Sequence, residues 1–257
     1  MAYLKRNGVQ VYYEEAGSGI PVLLSHGYSA TAQMWQGQMD ALADDYRLIA
    51  WDMRGHGQTD SPDDAGAYSE AATVDDMAAV LDAVGVEKAV ISGLSLGGYM
   101  SLAFNVKYPE RVQALMLFDT GPGYKNPVGR EGWNETAMGR ATTLEEKGLD
   151  ALGRGAEVRL AQHRSAQGLA HAARGMLAQF DSRIIESLPD IKVPAMVLVG
   201  ENDQPFIGAS QYMAAKIPGA KLVTIPGAGH AANIDQPQAF NDAVRTFLAE
   251  TVGAPAR

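Results

Sequence analysis

Six consecutive residues, Gly93-Leu94-Ser95-Leu96-Gly97-Gly98, constrain this chain more than any other stretch. They follow a short apolar run, Ala89-Val90-Ile91, and precede a helix-like segment from Tyr99 to Lys107. A serine between a strand and a helix, with a glycine two positions to either side, fits a very tight corner of the backbone. In such a corner Gly93 and Gly97 come so close that a β-carbon on either would strike neighbouring backbone. Ser95 is then held in a strained conformation with its hydroxyl turned out of the sheet edge. The start of the helix adds backbone N–H donors and the positive end of the helix dipole. This is the nucleophile-elbow pattern. The plainer alternative is a glycine-rich turn whose serine only caps the helix, and the rest of the chain has to choose between the two.

Apolar runs and helix-like segments alternate on both sides of that corner. The stretch Gly8 to Gly19, where Val9, Val11 and Tyr13 alternate with polar residues, reads as two strands meeting in turns. Pro21 to Ser25 has the profile of a buried parallel strand and ends in His26-Gly27. Helix Ala32–Leu42, strand Tyr46–Trp51, helix Ser69–Val84, strand Ala89–Ser92 and strand Val112–Phe118 follow. The rhythm stops between Gly121 and Leu188, a segment rich in Ala, Arg, Glu and Gln that suits three or four short helices. It resumes with strand Pro194–Val199, helix Ile207–Lys216, strand Lys221–Ile225 and helix Pro237–Glu250. Such alternation predicts an α/β fold, a parallel sheet with helices on both faces. Residues 1–120 and 190–257 form its core, and 121–189 form a helical cap on the sheet edge where open α/β sheets bind ligands. The tail 252–257 reads as frayed.

Composition narrows the function. At 257 residues, 46% hydrophobic and 20% charged, the chain suits one ordinary globular α/β domain with an insertion. A net charge of −9 argues against nucleic acid or an anionic membrane surface as partner. There is no run of about 18 apolar residues to span a bilayer, and Met1–Arg6 lacks the apolar core of a signal peptide. The absence of cysteine removes disulfides, thiolate metal sites and a thiol nucleophile, and fits a reducing cytoplasm.

A serine hydroxyl needs a base to take its proton. Of five histidines, His230 stands in the loop right after the last strand, where an imidazole can reach over the corner. His163 and His171 lie in the helical segment and read as solvent-facing or lid residues. The imidazole in turn needs a carboxylate to fix its tautomer and stabilise its positive charge. Two candidates end strands, Asp203 and Asp119, and Asp203 is preferred because it follows the strand adjacent in sequence to that of the histidine. The order Ser95, Asp203, His230 is the one expected with this elbow.

Together these motifs resemble the α/β-hydrolase superfamily from about Val9 to Leu248. They are His26-Gly27, the turn Asp52-Met53-Arg54-Gly55-His56-Gly57-Gln58-Thr59, the Ser95 elbow, and the Asp203 and His230 turns. The resemblance implies an eight-stranded, mostly parallel sheet with a small helical cap. It also implies that the backbone N–H groups of Tyr28 and Leu96 form an oxyanion hole, that His26 is structural, and that Asp52 and Arg54 are a charged pair bracing neighbouring loops. Asp52 and His56 sit too close on one loop, with no third ligand, to read as a metal site. Within the superfamily the chain is similar to 3-oxoadipate enol-lactonases and small carboxylesterases. Ser95 departs from the aspartate of epoxide hydrolases and haloalkane dehalogenases. Ser29 stands where perhydrolases have proline, and Leu94 where carbon–carbon bond hydrolases usually have asparagine.

The expected function is cofactor-free, metal-free hydrolysis of a small-molecule ester or lactone. Two alternatives stay open: a slow-turnover ligand receptor on the same fold, and an aminopeptidase or amidase, for which Glu145-Glu146 is the only acidic doublet in the cap. Tyr124, Trp133, Met138 and Phe206 are candidates to line the substrate pocket.

Overall fold

Alternation of apolar side chains through the sheet gives the molecule two hydrophobic layers. In strand β3 (Pro21–Ser25), Leu23 faces one layer while Val22 and Leu24 face the other. In β4 (Arg47–Trp51), Ile49 and Trp51 oppose Leu48 and Ala50 in the same way. All of these residues are buried, as expected of strands covered on both faces. The structure is a computed structural model and describes residues 1–253. Of the tail expected to fray, 254–257 lie outside the described residues.

The sheet has eight strands in the order β1-β2-β4-β3-β5-β6-β7-β8. Besides β3 and β4 they are β1 (Ala2–Arg6), β2 (Val9–Ala16), β5 (Ala89–Leu94), β6 (Val112–Phe118), β7 (Ala195–Gly200) and β8 (Lys221–Ile225). β1 and β2 form an antiparallel hairpin, β2 runs antiparallel to β4, and all other pairs are parallel. Gly8 to Gly19 therefore holds one strand, and its partner lies upstream at Ala2–Arg6. The turn between them is Asn7-Gly8, both with positive φ (49° and 83°), a two-residue hairpin turn.

Helices α1 (Gln36–Leu42) and α10 (Pro237–Thr251) cover one face. α2 (Glu70–Ala83), α3 (Leu96–Lys107) and α8 (Gln204–Lys216) cover the other. Ser69 caps α2 by accepting the Ala72 N–H. Between β6 and β7 come α4 (Pro127–Lys147), α5 (Ala156–Leu160), α6 (Ala166–Ala172) and α7 (Arg183–Glu186), and the four-residue α9 (Ala232–Asp235) follows β8. The first of the inserted helices is 21 residues long rather than short. It docks through a thin stripe, Ala137, Ala141 and Leu144, spaced as one helical face.

The chain turns to opposite sides of the sheet after β3 and before β5, which lie side by side. The carboxyl ends of these two strands are where an open α/β sheet forms a crevice.

Candidate active site

Strain marks that crevice. Among the described residues, four non-glycine residues have positive φ, and three of them, Ser29, Ser95 and Asp119, stand just beyond β3, β5 and β6. Such conformations cost on the order of 1–3 kcal/mol each and persist only where surrounding structure enforces them. Ser95 has φ 55° and ψ −115° at the start of α3. Its N–H donates to Phe118 O (2.9 Å), and the Thr120 hydroxyl donates to Ser95 O (2.6 Å). A β-carbon on Gly93 would overlap the Gly97 backbone, one on Gly97 would overlap the Ser25 carbonyl, and one on Gly98 would strike Thr120. The elbow can close only with glycine at these places.

His230 Nδ1–H donates to Asp203 Oδ2 at 2.8 Å, which leaves Nε2 as the basic nitrogen. The Phe206 ring stacks on the imidazole, with centroids 5.0 Å apart and planes 25° from parallel. Burial pulls the His230 pKa down, but the hydrogen bond and charge of Asp203, with the charges of Asp119 and Glu157, outweigh it and hold the pKa above the ordinary imidazole value. Asp119 is fully buried and does not line the cavity. Its Oδ1 accepts the Gly200 N–H (2.7 Å), while Oδ2 is buried without a partner. Burial, opposed by the Gly200 hydrogen bond and reinforced by the Asp203 charge, pushes its pKa up to about 8. Burial thus favours the neutral form of Asp119, and Asp203 is the carboxylate hydrogen-bonded to the imidazole.

The loop after β3 approaches the elbow from the other side. A β-carbon on Gly27 would be 3.4 Å from Ser95 Cβ. The backbone N–H groups of Tyr28 and Leu96 make no hydrogen bond among the described residues. His26 donates from Nδ1 to Gly27 O (2.7 Å) and accepts the Met53 N–H at Nε2 (2.9 Å). Full burial holds its pKa down at about 3, so the ring stays neutral and braces the loop. Asp52 and Arg54 each tie loops together, but not as a pair. Asp52 accepts the N–H groups of Ala32 (2.7 Å) and Gln58 (2.8 Å), while Arg54 donates to Asp76. His163 is neither solvent-facing nor idle. Its Nε2–H donates to Ser29 O (2.9 Å) and its Nδ1 accepts the Gly57 N–H (3.2 Å), across more than a hundred residues of sequence. The His56 ring lies between those of His26 and His163, tilted against the first at 4.9 Å and edge-on to the second at 5.7 Å, a contact no local pattern announces.

A cavity of about 1060 Å³ opens over Ser95, His230 and Asp203 and runs beneath the inserted helices. Tyr124, Trp133 and Phe206 line it, as expected from the sequence. Met138 does not; it is half-buried on α4 and packs against the core. The wall is largely apolar, with Leu144, Val158, Leu177 and Ile185 among its members. Sequence reasoning passed over its charged members, Arg140 and Glu157, which belong to no recognisable motif.

Comparison with known proteins places the chain. A model of the alpha/beta hydrolase family matches residues 22–243. A putative 2-succinyl-6-hydroxy-2,4-cyclohexadiene-1-carboxylate synthase of Bacillus subtilis is 30% identical over 88% of this chain and 89% of its own length. A 3-oxoadipate enol-lactonase of Acinetobacter baylyi is 27% identical over 88% of both chains. The structure of a thermophilic esterase from Thermogutta terrifontis, solved with malate bound, superposes with a TM-score of 0.83 at 30% identity over 96% of each chain. With its eight-stranded sheet, its glycine-closed serine corner and a family match spanning both halves of the core, this chain belongs to the alpha/beta hydrolase family, in the branch of the esterases and enol-lactonases.

Proposed function

We propose that the protein is a serine hydrolase that cleaves carboxylic esters or lactones of small molecules through an acyl-enzyme intermediate. The observation that carries this reading is the 2.8 Å bond from His230 to Asp203 within the cavity that exposes Ser95. In this reading Asp203 holds the imidazole in the tautomer that offers Nε2 to Ser95. His230 takes the hydroxyl proton as Ser95 attacks the carbonyl carbon. Charge builds on the carbonyl oxygen, and the N–H groups of Tyr28 and Leu96 receive it. Each such preorganised donor is typically worth about 3–4 kcal/mol in the transition state. The Leu96 N–H also stands at the first turn of α3, whose dipole favours negative charge. The imidazolium then protonates the leaving alcohol, and a water activated by the same His230 releases the acid and restores Ser95.

The helices of residues 121–189 act as the lid of this site. They roof the cavity with apolar side chains, which favours an apolar acyl or alcohol portion.

The test is a panel of p-nitrophenyl esters of rising chain length together with simple lactones. Hydrolysis is expected in the wild type and loss to below a hundredth of its rate in Ser95→Ala, with an unchanged circular dichroism spectrum. A serine-directed fluorophosphonate should add one label per chain, on Ser95. Activity that survives in Ser95→Ala overturns the reading.

A further inference from the structure

Two glutamines are buried among the described residues, and only one of them is satisfied. Gln38 donates from Nε2 to Asn233 O and to Asn241 Oδ1 (both 3.1 Å), and its Oε1 accepts from Asn233 Nδ2 (3.0 Å). Gln179 is 7% exposed, yet neither polar atom of its side chain has a hydrogen-bond partner among the described residues. An amide buried without partners is destabilising, a loss that a leucine or methionine of similar volume would avoid. The backbone of Gln179, by contrast, is fully engaged. Asn134 of α4 accepts its N–H (2.8 Å) and donates to its carbonyl (2.7 Å), which clamps the residue in place.

Gln179 lines the cavity over Ser95, and Gly123 decides which amide atom faces it. A β-carbon on Gly123 (φ 90°) would stand 2.8 Å from Gln179 Oε1. In glycine that direction holds a Cα–H, which suits an oxygen and collides with an N–H. Oε1 is therefore the atom packed against the backbone, where it is buried, and the Nε2 donors are left to the cavity. Gly123 lies three residues beyond Thr120, whose hydroxyl holds Ser95 O. Three residues of chain reach at most about 11 Å, so the amide stands within a small molecule's length of the elbow. An uncharged donor in a largely apolar wall matches an uncharged acceptor. A carboxylate there would lose hydration without gaining a counter-charge from the amide.

We propose that the physiological substrate carries a second, uncharged carbonyl group near its scissile ester or lactone bond, and that Gln179 Nε2 donates a hydrogen bond to its oxygen. This deepens the serine-hydrolase reading and rests on it. Gln179 is a specificity-determining residue: it binds a part of the substrate that does not react.

Matched esters test the inference on both sides of the scissile bond. On the acyl side, the p-nitrophenyl esters of 4-oxopentanoate, 5-oxohexanoate and 6-oxoheptanoate are compared with those of 4-methylpentanoate, 5-methylhexanoate and 6-methylheptanoate. Each pair has one shape and differs in the ketone oxygen. On the alcohol side, 4-acetylphenyl pentanoate is compared with 4-isopropylphenyl pentanoate. For each pair the ratio of kcat/KM, keto over branched, is measured in wild type and in Gln179→Met, so that intrinsic reactivity and any general loss of activity cancel. Circular dichroism checks the fold, and Gln179→Leu takes the place of a Gln179→Met that does not fold. A hydrogen bond from Nε2 predicts that the ratio falls about threefold or more in at least one pair. A smaller fall in every pair overturns the proposal. If the wild type cleaves none of the esters, the hydrolase reading fails by itself. The subsite is then judged by calorimetric titration of wild type and Gln179→Met with methyl 5-oxohexanoate. Binding at least about threefold weaker in the variant upholds the subsite, and a smaller change or no binding overturns it.

Discussion

At the scale of single residues, the site turns on which of two neighbouring carboxylates holds the imidazole. Asp203 and Asp119 both follow strand ends, and the order of the strands along the sequence already favours Asp203. The environments of the two carboxylates differ as well. Asp203 bonds the imidazole, whereas Asp119 bonds the Gly200 N–H and is pushed up to about 8 by burial. One set of pH–rate profiles follows from this. Hydrolysis by the wild type should rise with pH as His230 loses its proton, with a midpoint above the ordinary imidazole value of about 6.5. The sign is set by Asp203, which favours the protonated ring and so delays its deprotonation. Asp203→Asn removes the charge and supports the wrong tautomer. It should lower kcat by on the order of 10³–10⁴-fold and move any residual midpoint to lower pH. Asp119→Asn replaces a group that does not touch the imidazole and whose neutral form burial favours, and it should cost tenfold or less, about 1.4 kcal/mol. A crippled Asp119→Asn beside a mild Asp203→Asn would reverse the two roles.

At the scale of elements, the inserted helices are tied to the core where the chemistry is expected. The loop between α5 and α6 grips the turn after β4 through His163 and through Arg164, which donates to Gly57 O (3.1 Å) and to Gln58 O. Asp52 holds the same turn from below. His163 also binds Ser29 O, one residue beyond Tyr28, so the proposed lid and the proposed oxyanion loop share an anchor. His163→Ala removes two hydrogen bonds, each worth about 1 kcal/mol, and should lower kcat/KM by roughly tenfold with most of the change in KM. Steady-state kinetics with a neutral ester decide it, and an unchanged kcat/KM would show that the anchor is not needed. None of this could be read locally, since the partners lie far apart in sequence. The central parallel strands are legible because apolar runs define them, and Val112–Phe118 has the expected bounds; the edge strand Lys221–Ile225 also has them, although most of it is exposed. The long α4 was not, because its buried face is two alanines and a leucine among glycines and charges, too thin a stripe for periodicity to expose. β1 was missed for a related reason: no residue of this edge strand is fully buried, although the Asn7-Gly8 turn signalled a hairpin.

At the scale of the whole molecule, the elbow and the strand-end turns reveal the family, yet what holds the assembly together includes a charged network that no motif singles out. Asp76 of α2 is fully buried and accepts from three donors on two arginines. Arg54 of the β4 turn reaches it through Nε (2.6 Å) and Nη2 (2.9 Å), and Arg6 of β1 through Nη1 (2.8 Å). One carboxylate thereby joins the edge hairpin, a central turn and a covering helix. The resemblance to known hydrolases had suggested that Arg54 braces loops with Asp52; the partner is Asp76, 22 residues further on. Ion pairs this deeply buried gain little over an apolar pair of the same volume, but losing one partner strands the other charge. Arg54 is itself buried and would be left with only the Ala67 carbonyl at 3.0 Å. Asp76→Ala should therefore destabilise the fold by about 3–5 kcal/mol, read as a lower urea midpoint with an unchanged slope. Removing both charges should be milder, so Arg54→Met combined with Asp76→Leu should recover most of that loss. If Asp76→Ala costs under about 1 kcal/mol, or the double variant is worse than the single, the network is not what ties hairpin, turn and helix together.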